Sequence, residues 1–400
     1  MMSERLAIDG GPPVRRTVLP YGRQQLTDAD IAAVVDVLKS DWITSGPTID
    51  AFETQWAARV GAAHAVTFSS GTAALHAAAA AAALAPGDEA ITTPLTFCAT
   101  ANAVLYQGAT PVFADVRDDL LTIDVEDVAR RITPRTRALL PVDFAGHPAD
   151  LDDLMALADA HGLIVIEDAA HALGATYRGR SVGQIAHMTV FSLHPVKHLT
   201  TGEGGIVTTS DPTLARALRR FRSHGIDSDA RTRHEQGQWF YEMTSLGFNY
   251  RLTDIACALG LSQLPRLTDN LAARRRIAAT YATALADVPG LRLPTAAGDV
   301  EPAWHLYPVR ILPPADRGAV FRALRAEGIG VNVHYIPVHL HPYYRDRFGD
   351  RRGAYPRAEQ AYEELISLPM FHSMSAADID DVVTAVRKVM AVLATPGGRP

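Results

Sequence analysis

The sequence predicts an α/β protein, with a large domain whose mostly parallel central sheet lies between helices, and a smaller C-terminal α/β domain. Three observations predict it. Short β-rich runs alternate with stretches of helical length through the first half of the chain. Polar residues collect immediately after those runs. From about residue 211 the pattern turns helical, then becomes mixed and punctuated by Pro and Gly. Alternation of this kind implies a parallel sheet, because each crossover lays a helix over one face.

The β-rich runs are, in order, AVTFSS (65–70), EAITTP (89–94), TPVFADV (110–116), ALLPVDF (138–144), LIVIEDA (163–169), MTVFSL (188–193) and GGIVTTS (204–210). Stretches 72–85 and 149–161 read as helices between them. In such sheets ligands bind beyond the carboxyl ends of the strands. Ser69 to Thr72, Thr96-Phe97, Glu167-Asp168, Ser192 and His194 all stand there. Helical segments follow at 212–225 and 251–267, then a long helix within 265–288 that marks the domain boundary. The C-terminal part offers a strand at 305–312, a helix near 316–327, a polar aromatic loop at 332–348 and a final helix at 376–393. This gives an N-terminal arm (1–14), a large domain (15–264) and a small domain (265–395), with a disordered tail, ATPGGRP.

A chain of 400 residues, 48% of them hydrophobic, has enough apolar surface for a large core. A net charge of −6 gives no global attraction to nucleic acid or to an anionic membrane. No apolar run approaches the roughly 18 residues needed to cross a bilayer. The N-terminus has no hydrophobic segment of the signal-peptide kind. Two cysteines, Cys98 and Cys257, fit a reducing cytoplasm, and Cys98 reads as a packing residue. No metal is assigned.

The stretch Phe191-Ser192-Leu193-His194-Pro195-Val196-Lys197, followed by a Gly-Glu-Gly-Gly run at 202–205, places a lysine in a loop after a buried strand. Pro195 restricts His194 to extended conformations, and the glycines let backbone approach closely. A nucleophilic lysine needs a lowered pKa, from burial or neighbouring cations. The plain alternative is a loop lysine with its amine in water. Asp168 ends an apolar strand 29 residues earlier. A buried carboxylate needs a partner, and the pyridine nitrogen of pyridoxal 5′-phosphate (PLP) is one that it would keep protonated. Ser69 to Leu75 runs from a strand straight into an Ala-rich helix, whose N-terminus suits a phosphate. Together these point to a PLP enzyme with the cofactor as a Schiff base on Lys197. A simple N-cap at Ser70 or Thr72, and a surface acid at Asp168, are the bland readings.

The motifs TSGPTIDAFE (44–53), SSGTAALH (69–76), TPLTFCATANAV (93–104), EDAAHALGA (167–175), FSLHPVKHLTTGEGG (191–205), LGFNYRLTD (246–254) and VHYIPVHLHPYY (333–344) resemble the PLP-dependent nucleotide-sugar aminotransferases of DegT type, fold type I. The likeness runs from about Pro20 to Met390. PYGRQ (20–24), VLKSDWITSGP (37–47), SHGI (223–226) and WFYEMTSLGFNYRLTD (239–254) most resemble the transaminases of pseudaminic acid biosynthesis. The resemblance implies amino transfer from L-glutamate to C4 of a UDP-linked 4-keto-6-deoxy-N-acetylhexosamine. It implies Lys197 as the Schiff-base and proton-carrying lysine and Asp168 as the pyridine partner. Gly71, Thr72 and Ser192 match phosphate ligands, and Phe97 matches the aromatic on the ring face. His171 matches a residue bonding the ring oxygen, about one helical turn from Asp168. Asn249 matches a residue that reaches the neighbouring subunit's phosphate, which implies a homodimer with shared sites. Trp42, Thr44, Arg251, His334 and Tyr335 match substrate-facing positions, whereas His305 and His339 read equally well as core or surface residues.

Four positions depart from the family pattern. His198 stands where a less basic residue is expected, and His171 where many relatives have glutamine. Leu193 replaces an aromatic and Asp143 a frequent histidine. The rival functions are a PLP-dependent sugar dehydratase, an aminotransferase for another sugar or cyclitol ketone, and a PLP-binding regulator. Relatives with histidine at the lysine position dehydrate, so Lys197 favours amino transfer. No helix-turn-helix or basic stripe supports the regulator.

Overall fold

The computed structural model describes residues 5–228, 231, 233 and 236–394. The first four residues of the expected arm, and the expected disordered tail beyond Ala394, lie outside the described residues.

All seven β-rich runs become strands of one sheet: β1 (His64–Phe68), β2 (Glu89–Thr92), β3 (Thr110–Phe113), β4 (Thr136–Leu140), β5 (Ile164–Asp168), β8 (Met188–Ser192) and β9 (Gly205–Thr209), with a small hairpin, β6 (Thr176–Tyr177) and β7 (Arg180–Ser181), between the fifth and sixth of them. The order is β1-β9-β8-β5-β4-β2-β3. Pairings β2–β3, β2–β4, β4–β5 and β5–β8 are parallel. β9 alone runs against its neighbours β8 and β1. The reason is the connection: residues 193–204 form no helix, so the chain has no crossover and must return antiparallel. β1 therefore points the same way as β5 and β8. The carboxyl ends of β1, β2, β5 and β8 and the start of β9 share one edge of the sheet, as expected for a ligand site.

Helix Gly71–Ala81 packs against this sheet with seven of its eleven residues buried, mostly alanines that let it lie close. Ser70 caps it, its Oγ accepting from the Ala73 N–H at 3.0 Å. The stretch 149–161 forms helix Leu151–His161. Four helices that the pattern does not single out complete this half: Asp28–Leu38, Pro47–Val60, Ala99–Tyr106 and Val125–Arg131.

The long helix Leu267–Ala284 contributes Leu267 and Leu271 to one core and Ile277, Ala278 and Tyr281 to another. The second core lies on an antiparallel sheet of β10 (Leu291–Arg292), β12 (Tyr307–Ile311) and β13 (Leu365–Leu368), with helices Arg317–Ala326 and Ala376–Leu393. β11 (Val300–Glu301) pairs instead with β6. Leu6 and Leu19, near the N-terminus, are buried in that second core. Glu327 clips this N-terminal segment down, accepting from the N–H groups of Ala7 at 2.8 Å and Val14 at 3.0 Å while paired with Lys388 at 2.9 Å. The expected loop 332–348 is more ordered than its composition suggested, with a 3-10 turn at Val338–Leu340 and a helix Pro342–Phe348, because Pro342 pre-sets the first helical turn. No described helix is long and apolar enough to cross a membrane.

Candidate active site

A cavity of about 420 Å³ opens at the shared strand edge. Gly71, Thr72, Phe97, Asp168, His171, Ser192, Lys197, His334 and Tyr335 all line it, from segments far apart in sequence. Trp42, Thr44, Asn249 and Arg251 do not. Thr44 pairs with Thr253 and Asn249 with Ser223 in isolated bridges. Trp42, Thr44 and Asn249 are exposed in the single chain.

Lys197 projects from the 193–204 loop, and its Nζ lies 3.4 Å from Nε2 of His305. Burial pushes its ammonium down to about 8; Asp168 opposes this, and Arg274 adds to it. Burial likewise holds His171, His198 and His305 well below the usual histidine range, with the Lys197 charge contributing to each. His334 is brought down to about 4 by burial and Lys197. The lysine thus sits among neutral imidazoles and opposite one acid.

That acid, Asp168, ends β5 and is 6% exposed. Its Oδ2 accepts from Thr100 Oγ1 at 2.7 Å and its Oδ1 from the Ala170 N–H at 3.1 Å. Thr100 has one hydroxyl hydrogen, so the contact at 2.9 Å with Thr96 Oγ1 is one in which Thr96 donates. Burial raises Asp168, while Thr100, the Ala170 N–H and Lys197 pull it back. Behind it, Asp143 and Glu167 are wholly buried. Burial pushes Glu167 up to about 7, and hydrogen bonds from Thr189 and Asp143 restrain it. Burial, with the Glu167 charge beside it, raises Asp143 well above the usual carboxylate range.

His171 stands in turns after β5 rather than on a helix, so its reach to Asp168 does not come from helical spacing. Its Nε2 lies 3.0 Å from the Tyr335 hydroxyl, and its buried Nδ1 has no partner among the described residues. Phe97 is 57% exposed, with its ring centroid 6.0 Å from that of Tyr335. His334 bonds Ser367 Oγ at 2.9 Å through Nδ1.

The residues present fit a phosphorylated pyridine. The first N–H groups of helix Gly71–Ala81 have no intrahelical acceptor, and they border the cavity. A Cβ on Gly71 would stand 3.2 Å from Ser192 Cβ, and one on Gly205 would stand 2.5 Å from the Ser70 carbonyl oxygen. Glycine at both positions therefore keeps the cradle open. The orphaned His171 Nδ1 and the buried Asp168 supply ring partners at two further points.

Thr100, Tyr21 and His305 belong to the site without having been singled out as site residues. Thr100 lies within the quoted 93–104 motif, four residues after Thr96, which is the one local signal available for it. His305, read as core or surface, touches the lysine.

The model of the DegT/DnrJ/EryC1/StrS aminotransferase family matches residues 24–387. The spore coat polysaccharide biosynthesis protein SpsC of Bacillus subtilis is 44% identical over 94% of this chain and 98% of its own. Helicobacter pylori PseC, an aminotransferase involved in the biosynthesis of pseudoaminic acid, superposes with a TM-score of 0.87 at 32% identity, covering 94% of this chain and 100% of its own. Spr1654 of Streptococcus pneumoniae, in its PLP form, gives a TM-score of 0.88 at 30% identity, over 94% and 100% of the two chains. With a family match over most of its length and a site of this geometry, the chain belongs to the DegT/DnrJ/EryC1/StrS aminotransferase family.

Proposed function

We propose that the chain is a PLP-dependent aminotransferase that moves an amino group from L-glutamate to a nucleotide-linked keto sugar, at C4 of a UDP-linked 4-keto-6-deoxy-N-acetylhexosamine. The observation that carries this reading is the buried Lys197 amine facing one cavity with Asp168 and a helix N-terminus. When bound, PLP supplies an electron sink that makes a proton on the carbon beside nitrogen removable.

The chain's residues do the rest. Gly71 and Thr72 offer backbone N–H groups, and Ser192 a hydroxyl, to hold the phosphate. Asp168, whose carboxylate form Thr100 and the Ala170 N–H favour against burial, would hold a proton on the ring nitrogen. Phe97 would cover a ring face, and His171 Nδ1 would meet the ring oxygen. Burial brings the Lys197 ammonium down to about 8, so just above neutrality a share of Nζ is unprotonated and can take the proton from the donor's α-carbon. It returns a proton to C4 of the sugar in the second half-reaction. One group can serve both steps because it stands beside both reacting carbons. The resulting kinetics are ping-pong. His334 and Tyr335 orient the sugar.

Trp42, Thr44, Arg251 and Asn249 lie off this chain's own cavity and serve the site of a second copy. The same homodimer covers the exposed Trp239, Phe240, Met243 and Leu246. The division into an arm (1–14), a cofactor-binding unit (15–264) and a C-terminal unit (265–395) belongs to the same proposal. So does a cytoplasmic setting, which fits the unpaired Cys98 and Cys257.

A panel of nucleotide-linked 3-keto and 4-keto sugars, scored for nitrogen incorporated from labelled glutamate, tests the reading. The expected product is the 4-amino sugar. A deoxy-keto product without new nitrogen, or no incorporation with any sugar, would overturn it.

A further inference from the structure

One buried cation has no part in the reading above. Arg274, on helix Leu267–Ala284, is 1% exposed and has no carboxylate partner among the described residues. Its Nη1 donates to three backbone carbonyls, those of Met370 at 2.9 Å, Trp304 at 3.2 Å and His305 at 3.2 Å. Its Nε has no partner among the described residues. A buried guanidinium without a counter-ion is a costly arrangement. Elsewhere in this chain arginines find acids: Arg310 pairs with Asp118 and Glu364, and Arg222 with Glu53.

What Arg274 touches explains the placement. The residue whose carbonyl it holds, His305, is the one whose imidazole meets Lys197 Nζ at 3.4 Å. The His305 ring is clamped between His171, at 4.4 Å between centroids, and His198, at 5.5 Å. Its Nδ1 is buried without a partner among the described residues. A buried N–H left unpaired is rarer than an unpaired acceptor, so the favoured tautomer carries its proton on Nε2. That proton then points at the lone pair of a neutral lysine amine. A protonated lysine has no lone pair to offer it.

We propose that Arg274 is a positioning residue for Lys197, a buried cation without a counter-ion among the described residues that acts through His305 to disfavour the ammonium form of the lysine and keep its amine aimed into the cavity. The inference rests on the aminotransferase reading and extends it to a residue that borders neither cofactor nor substrate. Every charged or titratable neighbour of Lys197 takes a side in the balance. Asp168 alone favours the ammonium. Arg274 disfavours it, and the neutral rings of His171, His198, His305 and His334 offer it no charge. Arg274 itself is brought down to about 10 by burial, so it stays charged at neutral pH.

The sequence makes the test clean, because the chain has only three lysines, Lys39, Lys197 and Lys388. Full-length protein freed of cofactor is reductively methylated with ¹³C-formaldehyde, and each dimethyl-lysine is titrated by NMR. Lys39 is exposed and Lys388 is paired with Glu327, so both serve as internal references. In the unmutated chain the Lys197 signal is expected to titrate well below that of Lys39. In Arg274→Gln its midpoint is expected to rise by about 1 pH unit, the low end of what one nearby charge does. The two references should stay still, and Arg274→Lys should restore the low midpoint. The acid limb of the pH–rate profile of the reconstituted enzyme should move up with the midpoint.

An Arg274→Gln midpoint equal to that of the unmutated chain overturns the proposal, as does a shift that Arg274→Lys fails to reverse. If Arg274→Gln does not fold, a Lys197 that titrates alongside Lys39 in the unmutated chain overturns it. Failure of the underlying reading is separate and shows as no exchange between glutamate and 2-oxoglutarate by the unmutated enzyme.

Discussion

Replacing Thr100 by valine removes one hydroxyl and keeps the shape. That hydroxyl makes one of the two hydrogen bonds on Asp168, at 2.7 Å to Oδ2, and it is itself oriented by Thr96. A hydrogen bond to a charged group contributes about 1.5–3 kcal/mol, which corresponds to one to two pH units in the carboxyl's pKa. Asp168 is already raised by burial, and Thr100 is the first of the groups that pull it back. Thr100→Val therefore raises it further and leaves less carboxylate at a given pH. The assay is the single-turnover reaction of reconstituted enzyme with glutamate, followed by cofactor absorbance across pH. The acid limb of the variant's pH–rate profile is expected to move up by about one to two pH units, so the variant is slowest relative to the parent on the acid side. The sign of the pH effect is fixed. An acid with a raised pKa ionises as pH rises, so the deficit should shrink at higher pH and grow as pH falls. A variant that matches the parent across the whole pH range would refute the role given to Asp168, as would a deficit that grows with pH.

Gly205→Ala places a Cβ 2.5 Å from the Ser70 carbonyl oxygen and 2.8 Å from Gly71 Cα, both backbone atoms that cannot swing away. A loss of about 1–3 kcal/mol in urea unfolding and weaker cofactor retention are expected; unchanged stability would contradict the close strand–helix contact. Glu327→Gln leaves Lys388 buried without its acid partner and weakens the clip on Ala7 and Val14. It should cost about 3–5 kcal/mol and release the N-terminal segment to limited proteolysis, and an unaltered cleavage pattern would refute the clip. Lys197→Ala and Asn249→Ala, each inactive or impaired alone, should regain about a quarter of the parental activity when unfolded and refolded together, because mixed dimers carry one intact site. Activity no greater than the sum of the separate variants would rule out shared sites.

The strands, and the lysine and aspartate at their ends, were legible in the sequence because their signals are local. An apolar run of strand length followed by a polar tip depends only on neighbours in the chain, so β5 with Asp168 and β8 with Ser192 stood out directly. The Ser-Gly-Thr entry to an alanine helix did so for the same reason. Strand direction at β9 was not legible, because period-two patterning is the same in either direction and only the connection decides. His171 shows the limit of local reasoning, since it lines the cavity while the helical spacing used to place it is replaced by turns.

What only the tertiary structure decided is which groups control the two legible residues. Thr100 is 68 residues from the aspartate it bonds, and His305 is 108 residues from the lysine it meets. No sequence pattern joins such pairs, because the sheet order brings them together after every strand has chosen its neighbour. The same holds for Arg274, whose lack of an acid partner among the described residues is visible only once its surroundings are packed. That Trp42, Thr44, Asn249 and Arg251 lie off the cavity is likewise visible only in the folded chain. The sequence by itself determined the α/β alternation, the strand ends and the residues of the cradle. The packing decided the lysine's protonation, because burial and long-range charge belong to the folded chain and not to any stretch of it.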